Sequence, residues 1–85
     1  MAFEITFSSD ATNDIGKLDG TVRKRLGAKL KQIADRESLT SIAKPLSGDL
    51  TGFHRIRFGT YRIVIFIGDT QIEVLRVRHR RNVYN

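Results

Sequence analysis

Hydrophobic positions recur along this chain with two different periods, and the switches between them divide it into elements. From Ala2 to Phe7 they alternate, with Phe3, Ile5 and Phe7 on one side and Glu4 and Thr6 on the other, which is the period of a half-buried strand. Ser8, Ser9 and Asp10 then offer side-chain oxygens to the free amides of a helix start, and Ala11, Ile15 and Leu18 follow at helical spacing. Gly16 weakens this short helix, and Asp19-Gly20 reads as its break. Val22, Leu26, Leu30, Ile33 and Ala34 then recur every three or four residues, while Arg23, Lys24, Arg25, Lys29 and Lys31 take the remaining arc. This predicts an amphipathic helix from Thr21 to Arg36 or Glu37, its basic arc read as a solvated face ahead of a nucleic-acid contact. Residues 38–52 hold the only proline and two glycines, so they read as a connection with room for one helical turn, anchored by Ile42, Leu46 and Leu50.

Alternation resumes at Phe53 and continues through three strands. Gly59 and Thr60 separate the first two, and a glycine in the first of two loop positions suits a type II′ turn, whose twist matches the flanking strands. That turn sets the register: Phe58 opposite Tyr61, Arg57 opposite Arg62, Ile56 opposite Ile63, Arg55 opposite Val64. Gly68-Asp69-Thr70 supplies the next turn. In the last strand Leu75, Val77 and His79 are expected to face the core, with Arg76, Arg78 and Arg80 on the other side. The predicted fold is α+β: an N-terminal strand, a two-helix hairpin, then a three-stranded antiparallel meander. Together these make one mostly antiparallel four-stranded sheet with both helices on one face, in a single domain over residues 1–85.

Charge changes this picture more than composition does. The 85 residues carry a net charge of +6, but residues 1–52 hold eight basic and seven acidic side chains, whereas residues 53–85 hold seven arginines, no lysine and two acids. The excess therefore belongs to the C-terminal strands and points to a polyanionic partner. Cysteine is absent, which removes disulfides, thiolate metal sites and a cysteine nucleophile. No apolar run approaches the length of a membrane span, and the N-terminus lacks the basic flank and apolar core of a signal peptide. A soluble protein of the cytoplasm is expected, with no membrane partner.

Under the predicted register Arg55, Arg57 and Arg62 share the helix-free face with Arg76, Arg78 and Arg80. Like charges opposite one another across strands oppose folding, by some tenths of a kcal/mol per pair, and local rules broken without structural gain tend to mark functional sites. Guanidinium is planar, always charged and able to grip phosphate oxygens with two parallel hydrogen bonds. Val64 and Phe66 on the same face could support a stacked base. In an enzyme acting on RNA, the 2′-hydroxyl can attack the adjacent phosphorus and leave a 2′,3′-cyclic phosphate. That reaction needs positive charge on the phosphorane, a base and an acid, and no metal or cofactor. Arginine supplies the charge but cannot exchange a proton at neutral pH. The candidates for proton transfer are Tyr84, His79 and His54. Tyr84 reads either as a phenol whose pKa is lowered by its arginine neighbours or as a terminal aromatic packed on the sheet. His79 and His54 fall on the core-facing parity and read first as structural histidines. Arg76, Arg78, Arg81 and Lys44 are further phosphate-binding candidates.

The run KPLSGDLTGFHRIRFGTYRIVIF, followed by VRHRRNVY, resembles the RelE/ParE superfamily of bacterial toxin–antitoxin toxins, specifically the RelE branch. The resemblance spans residues 44–84, and the order of elements extends it to the whole chain. It implies a toxin of a type II module, an mRNA interferase that cleaves messenger in the ribosomal A site and is held inactive by a cognate antitoxin in a hetero-oligomer. The residues corresponding to the family's site are Arg55, Arg57, Arg62, Arg80 and Tyr84. The best-known members carry lysines at the first two of these positions, so proton transfer by those lysines does not carry over. A DNA gyrase inhibitor of the ParE kind and a non-catalytic RNA-binding domain are the competing readings.

Overall fold

Gly59 joins the strand Phe53–Phe58 to the strand Tyr61–Ile67, and it sets the register of the sheet. The structure, a computed structural model, describes residues 2–46 and 52–79. Gly59 has φ 57° and Thr60 does not share the positive angle, the pattern of a type II′ turn, in which only the first central residue is left-handed. The ladder that follows is the expected one, from Phe58–Tyr61 through Arg57–Arg62 and Ile56–Ile63 to Arg55–Val64.

In chain order the elements are β1 (Glu4–Phe7), α1 (Ser9–Gly16), α2 (Gly20–Ala34), α3 (Arg36–Ile42), β2 (Lys44–Pro45), β3 (Phe53–Phe58), β4 (Tyr61–Ile67) and β5 (Gln71–His79). The sheet runs β1-β5-β4-β3-β2. β1 lies parallel to β5 and the other pairs are antiparallel. Buried side chains from all three helices (Ala11, Leu26, Ile33 and Leu39) and Leu18 of the α1–α2 turn form one cluster with Ile56, Phe58, Ile63, Ile65, Ile72, Val74 and Val77 of the sheet. The helices therefore share one face, and the other is left to the alternate residues. Each fully buried aliphatic side chain in this layer contributes about 1.5–3 kcal/mol.

The α+β architecture is as expected, but the connection after α2 is more ordered than its composition suggests. The predicted second helix, expected to reach Arg36 or Glu37, ends at Ala34 because Asp35 turns extended (ψ 121°). The Asp35 carboxylate then accepts hydrogen bonds from the Ser38 amide and hydroxyl (3.0 and 2.8 Å), capping α3. Phe3 donates to the Ala34 carbonyl (2.7 Å), fixing this corner to the N-terminal strand. Past α3, the two residues of β2 pair with β3, Lys44 opposite Arg55 and Pro45 opposite His54, so the sheet has five strands where four were expected.

A second difference lies in β5. Ile65 pairs with Val74 and Val64 with Arg76, which leaves Leu75 as the extra residue of a bulge. Val74, fully buried, takes the core place expected for Leu75, while Val77 keeps its own. β1 ends at Phe7, level with Val74, and α1 takes over the edge of β5 from there. The Ser8 amide donates to the Val74 carbonyl (2.9 Å), the Ser8 hydroxyl to the Leu75 carbonyl (2.8 Å), and the Val77 amide to the Asp14 carboxylate (3.0 Å). The Ser8 amide and two side chains thus complete a ladder that a strand would otherwise complete.

Candidate nucleic-acid interface

The strand registers arrange the basic residues of the helix-free face in two transverse rows. Arg57 on β3, Arg62 on β4 and Arg78 on β5 stand directly opposite one another in succession. The neighbouring row runs Lys44, Arg55, Val64, Arg76 across β2 to β5. Directly opposed residues of antiparallel strands lie about 4.5–5.5 Å apart at Cα, so this is a dense array of positive charge. The hairpin turn, the parity of β3 and β4, and the pairing of β2 produce it together.

A cavity of about 360 Å³ opens between the rows, lined by Ile42, Lys44, Arg55, Arg57 and Arg62. Its lining contains four cationic side chains and no carboxylate. Ile42 is the last residue of α3 and Lys44 the first of β2, so one wall comes from the segment whose sequence reads as a connection. The lysine is brought beside Arg55 by the short β2 pairing, which no periodicity announces.

Arg76 departs from the expected constellation. It keeps its place opposite Val64, but its guanidinium reaches α1, where Nε and one terminal nitrogen donate to the two oxygens of Asp14 (2.9 and 3.2 Å). Asp10, one helical turn earlier, lies 3.8 Å from it. The bond to Asp14 raises the Arg76 pKa further, with the nearby Asp10 charge adding to the effect. The bulge at Leu75 and the approach of α1 to the edge explain this pairing. The i, i+4 spacing of Asp10 and Asp14 is the sequence signal that would have announced a bound cation there.

Arg78 holds its predicted position in the row with Arg62. His79 packs edge-on against the Tyr61 ring (centroids 5.3 Å apart, 79° between planes), opposite it in the ladder. His54 sits on the core side, its Nδ1 at 3.1 Å from the Gly52 carbonyl, the structural role its parity suggests. Arg80, Arg81 and Tyr84 lie outside the described residues.

Residues 5–84 match the sequence pattern of a family described as the ParE toxin of the type II toxin–antitoxin system, parDE. The chain is 34% identical to Toxin RelG of Mycobacterium tuberculosis over 90 residues, covering 99% of this chain and 98% of that protein. It is 28% identical to Toxin RelE3 of Methanocaldococcus jannaschii over 85 residues, covering 96% of each. Among solved structures, it superposes on a chain of the RelB–RelE antitoxin–toxin complex from Methanococcus jannaschii with a TM-score of 0.76 at 28% identity, over 93% of this chain and 94% of that one. A chain of the RelBE2 toxin–antitoxin complex from Mycobacterium tuberculosis gives 0.68 at 32% identity, over 94% and 100%.

Proposed function

This chain belongs to the ParE toxin family of type II toxin–antitoxin systems, within the RelE/ParE superfamily and on its RelE branch, and from that membership we propose that it is a ribosome-dependent endoribonuclease. In this reading it cleaves messenger RNA in the A site and so arrests translation in the cytoplasm. The observation that carries the proposal is the cavity whose lining has four cations, Lys44, Arg55, Arg57 and Arg62, and no carboxylate.

The chemistry follows from that lining. A phosphodiester placed over Arg55, Arg57 and Arg62 has its non-bridging oxygens held by guanidinium donors. As the 2′-oxygen bonds to phosphorus and the bond to the 5′-oxygen breaks, negative charge grows on the phosphorane beside these guanidiniums. Preorganised charge of this kind lowers the barrier most where charge develops. The guanidiniums do not exchange protons, so proton transfer falls to other groups. Tyr84, near the end of the chain, is proposed for that work, with His79 second because its ring packs against Tyr61. Arg80 and Arg81 extend the cationic surface in this reading. The ribosome contributes by holding messenger in a reactive geometry, which lowers the entropic part of the barrier.

A cognate antitoxin completes the proposal. The M. jannaschii and M. tuberculosis relatives were solved as complexes with their antitoxins, and an acidic partner segment would be drawn to the arginine rows and, by covering them, hold this chain inactive.

Expression without an antitoxin tests the reading. Wild-type protein should arrest growth and produce messenger ends phased to codons and carrying 2′,3′-cyclic phosphate. Arg62→Ala should relieve the arrest, with a loss of cleavage of roughly 10²–10³-fold, as for removal of one preorganised donor. Cleavage at wild-type rate by Arg62→Ala would remove the cavity from the mechanism. The competing reading is gyrase inhibition of the ParE kind, without RNA chemistry. DNA damage with intact messenger after induction would select it.

A further inference from the structure

At the end of the helix-free face away from the arginine rows, four residues stand in one transverse line: Phe53 on β3, Phe66 on β4, Glu73 on β5 and Thr6 on β1, each opposite the next. We propose that this line is a nucleobase subsite, in which Phe66 stacks a base of the bound RNA and Glu73 accepts a hydrogen bond from an amino group on that base's edge. The inference rests on the reading that RNA crosses the arginine rows, and it adds a determinant of which sequence is accepted.

Phe66 is 38% exposed, one of two large hydrophobic side chains so exposed among the described residues. Its ring is nonetheless held in place. Phe53 meets it edge-on, with centroids 5.0 Å apart and 67° between planes. On another side lies Gly52, at φ 88°, where a β-carbon would come within 2.8 Å of the ring. A fixed, uncovered aromatic surface suits stacking, because little freedom remains to be lost on binding. The ring forms one wall of a cavity of about 380 Å³ whose other walls include Thr6, Asp69, Gln71 and Glu73.

The electrostatics decide which part of a nucleotide fits. Phosphate is repelled by Glu73 and Asp69 and attracted by the arginine rows, so the backbone lies toward Arg57 and Arg62 and a base points toward Phe66. Arg62 and Phe66 share a face of β4 four residues apart, about 13 Å at strand rise, within the span of a short single strand. Cytosine, adenine and guanine offer exocyclic amino donors to a carboxylate; uracil offers none. The same acids disfavour an acidic protein segment at this end.

Short 2′-O-methylated RNAs, which bind without being cut, test the subsite by fluorescence anisotropy on the full chain. A uridine pentamer is compared with pentamers carrying one cytidine or adenosine. Wild type should prefer the amino-bearing strands. Phe66→Ala and Phe66→Leu should weaken binding to every strand about tenfold, Phe66→Leu keeping the apolar bulk and reporting loss of the π face alone. Glu73→Gln should remove the preference while retaining uridine affinity. Thermal melting confirms that each variant is folded. Unchanged affinity in both Phe66 variants, or no base preference in wild type, overturns the subsite. So does a loss confined to binding of an acidic peptide. Cleavage of programmed ribosomes separates the two claims: base preference without cyclic phosphate product leaves the subsite standing and removes the nuclease reading, whereas cleavage with unaltered Phe66 variants does the reverse.

Discussion

Single residues decide more here than their size suggests. Gly59 is the pivot, because the turn its positive φ permits sets Arg57 opposite Arg62 and Arg55 opposite Val64. Gly59→Ala should destabilise the protein by about 1–2 kcal/mol, the cost of left-handed backbone for an L-residue, readable as a lower denaturant midpoint. The arginines also divide by role. Arg76 is held by the two bonds it donates to Asp14, so Arg76→Ala should lower the melting temperature and leave the salt dependence of RNA binding unchanged. Arg57 lines the cationic cavity, so Arg57→Ala should reduce that slope by about one. Salt titration of both variants checks the division. Asp35 adds a pH signature, since bonds from the Ser38 side chain and amide hold its carboxyl below the ordinary 3.8. Its contribution is complete above the unfolded value and is lost as pH falls through the lower folded one. Asp35→Asn, which still caps α3, should therefore show a smaller fall in melting temperature than wild type between neutral pH and pH ~3.

At the scale of elements, what the sequence announces and what it conceals have separate physical causes. The β3–β4 hairpin is legible because its turn needs one residue type at one place, and Gly59 is there. The break between α2 and α3 is hidden because Asp35 interrupts a continuing helical pattern with a cap, without glycine or proline. The strand β2 is hidden because two residues are too few to show alternation. The bulged residue of β5, Leu75, follows another apolar residue, Val74, so either parity looks plausible from the letters alone, and only pairing with Ile65 selects Val74. Part of the site depends on these hidden features. Arg55, Arg57 and Arg62 follow from the hairpin, whereas Lys44 and Ile42 reach the cavity through β2 and α3, and Arg76 turns to Asp14. The first turn of α1 gives an element-scale test. Ser8 caps it through the Ala11 amide (3.0 Å) and also donates to Leu75. Ser8→Ala should cost about 1–2 kcal/mol, measured by chemical unfolding.

Over the whole molecule, one face of the sheet is committed to folding and the other to charge. The helices bury the first. The second is polarised, with Arg55, Arg57, Arg62 and Arg78 toward one end and Glu4, Glu73 and the exposed Phe66 toward the other. A face kept open in this way cannot be protected by a second layer, so a stacked or extended sheet is the hazard it carries. The substitution of α1 for a strand along β5 answers that hazard. With Ser8 and Asp14 occupying the hydrogen-bonding groups at Val74, Leu75 and Val77, a second sheet has no free ladder there on which to grow. α1 thus acts as an end stop: Ser8→Ala combined with Asp14→Ala, which removes the bonds to Leu75 and Val77, should increase self-association, as measured by light scattering.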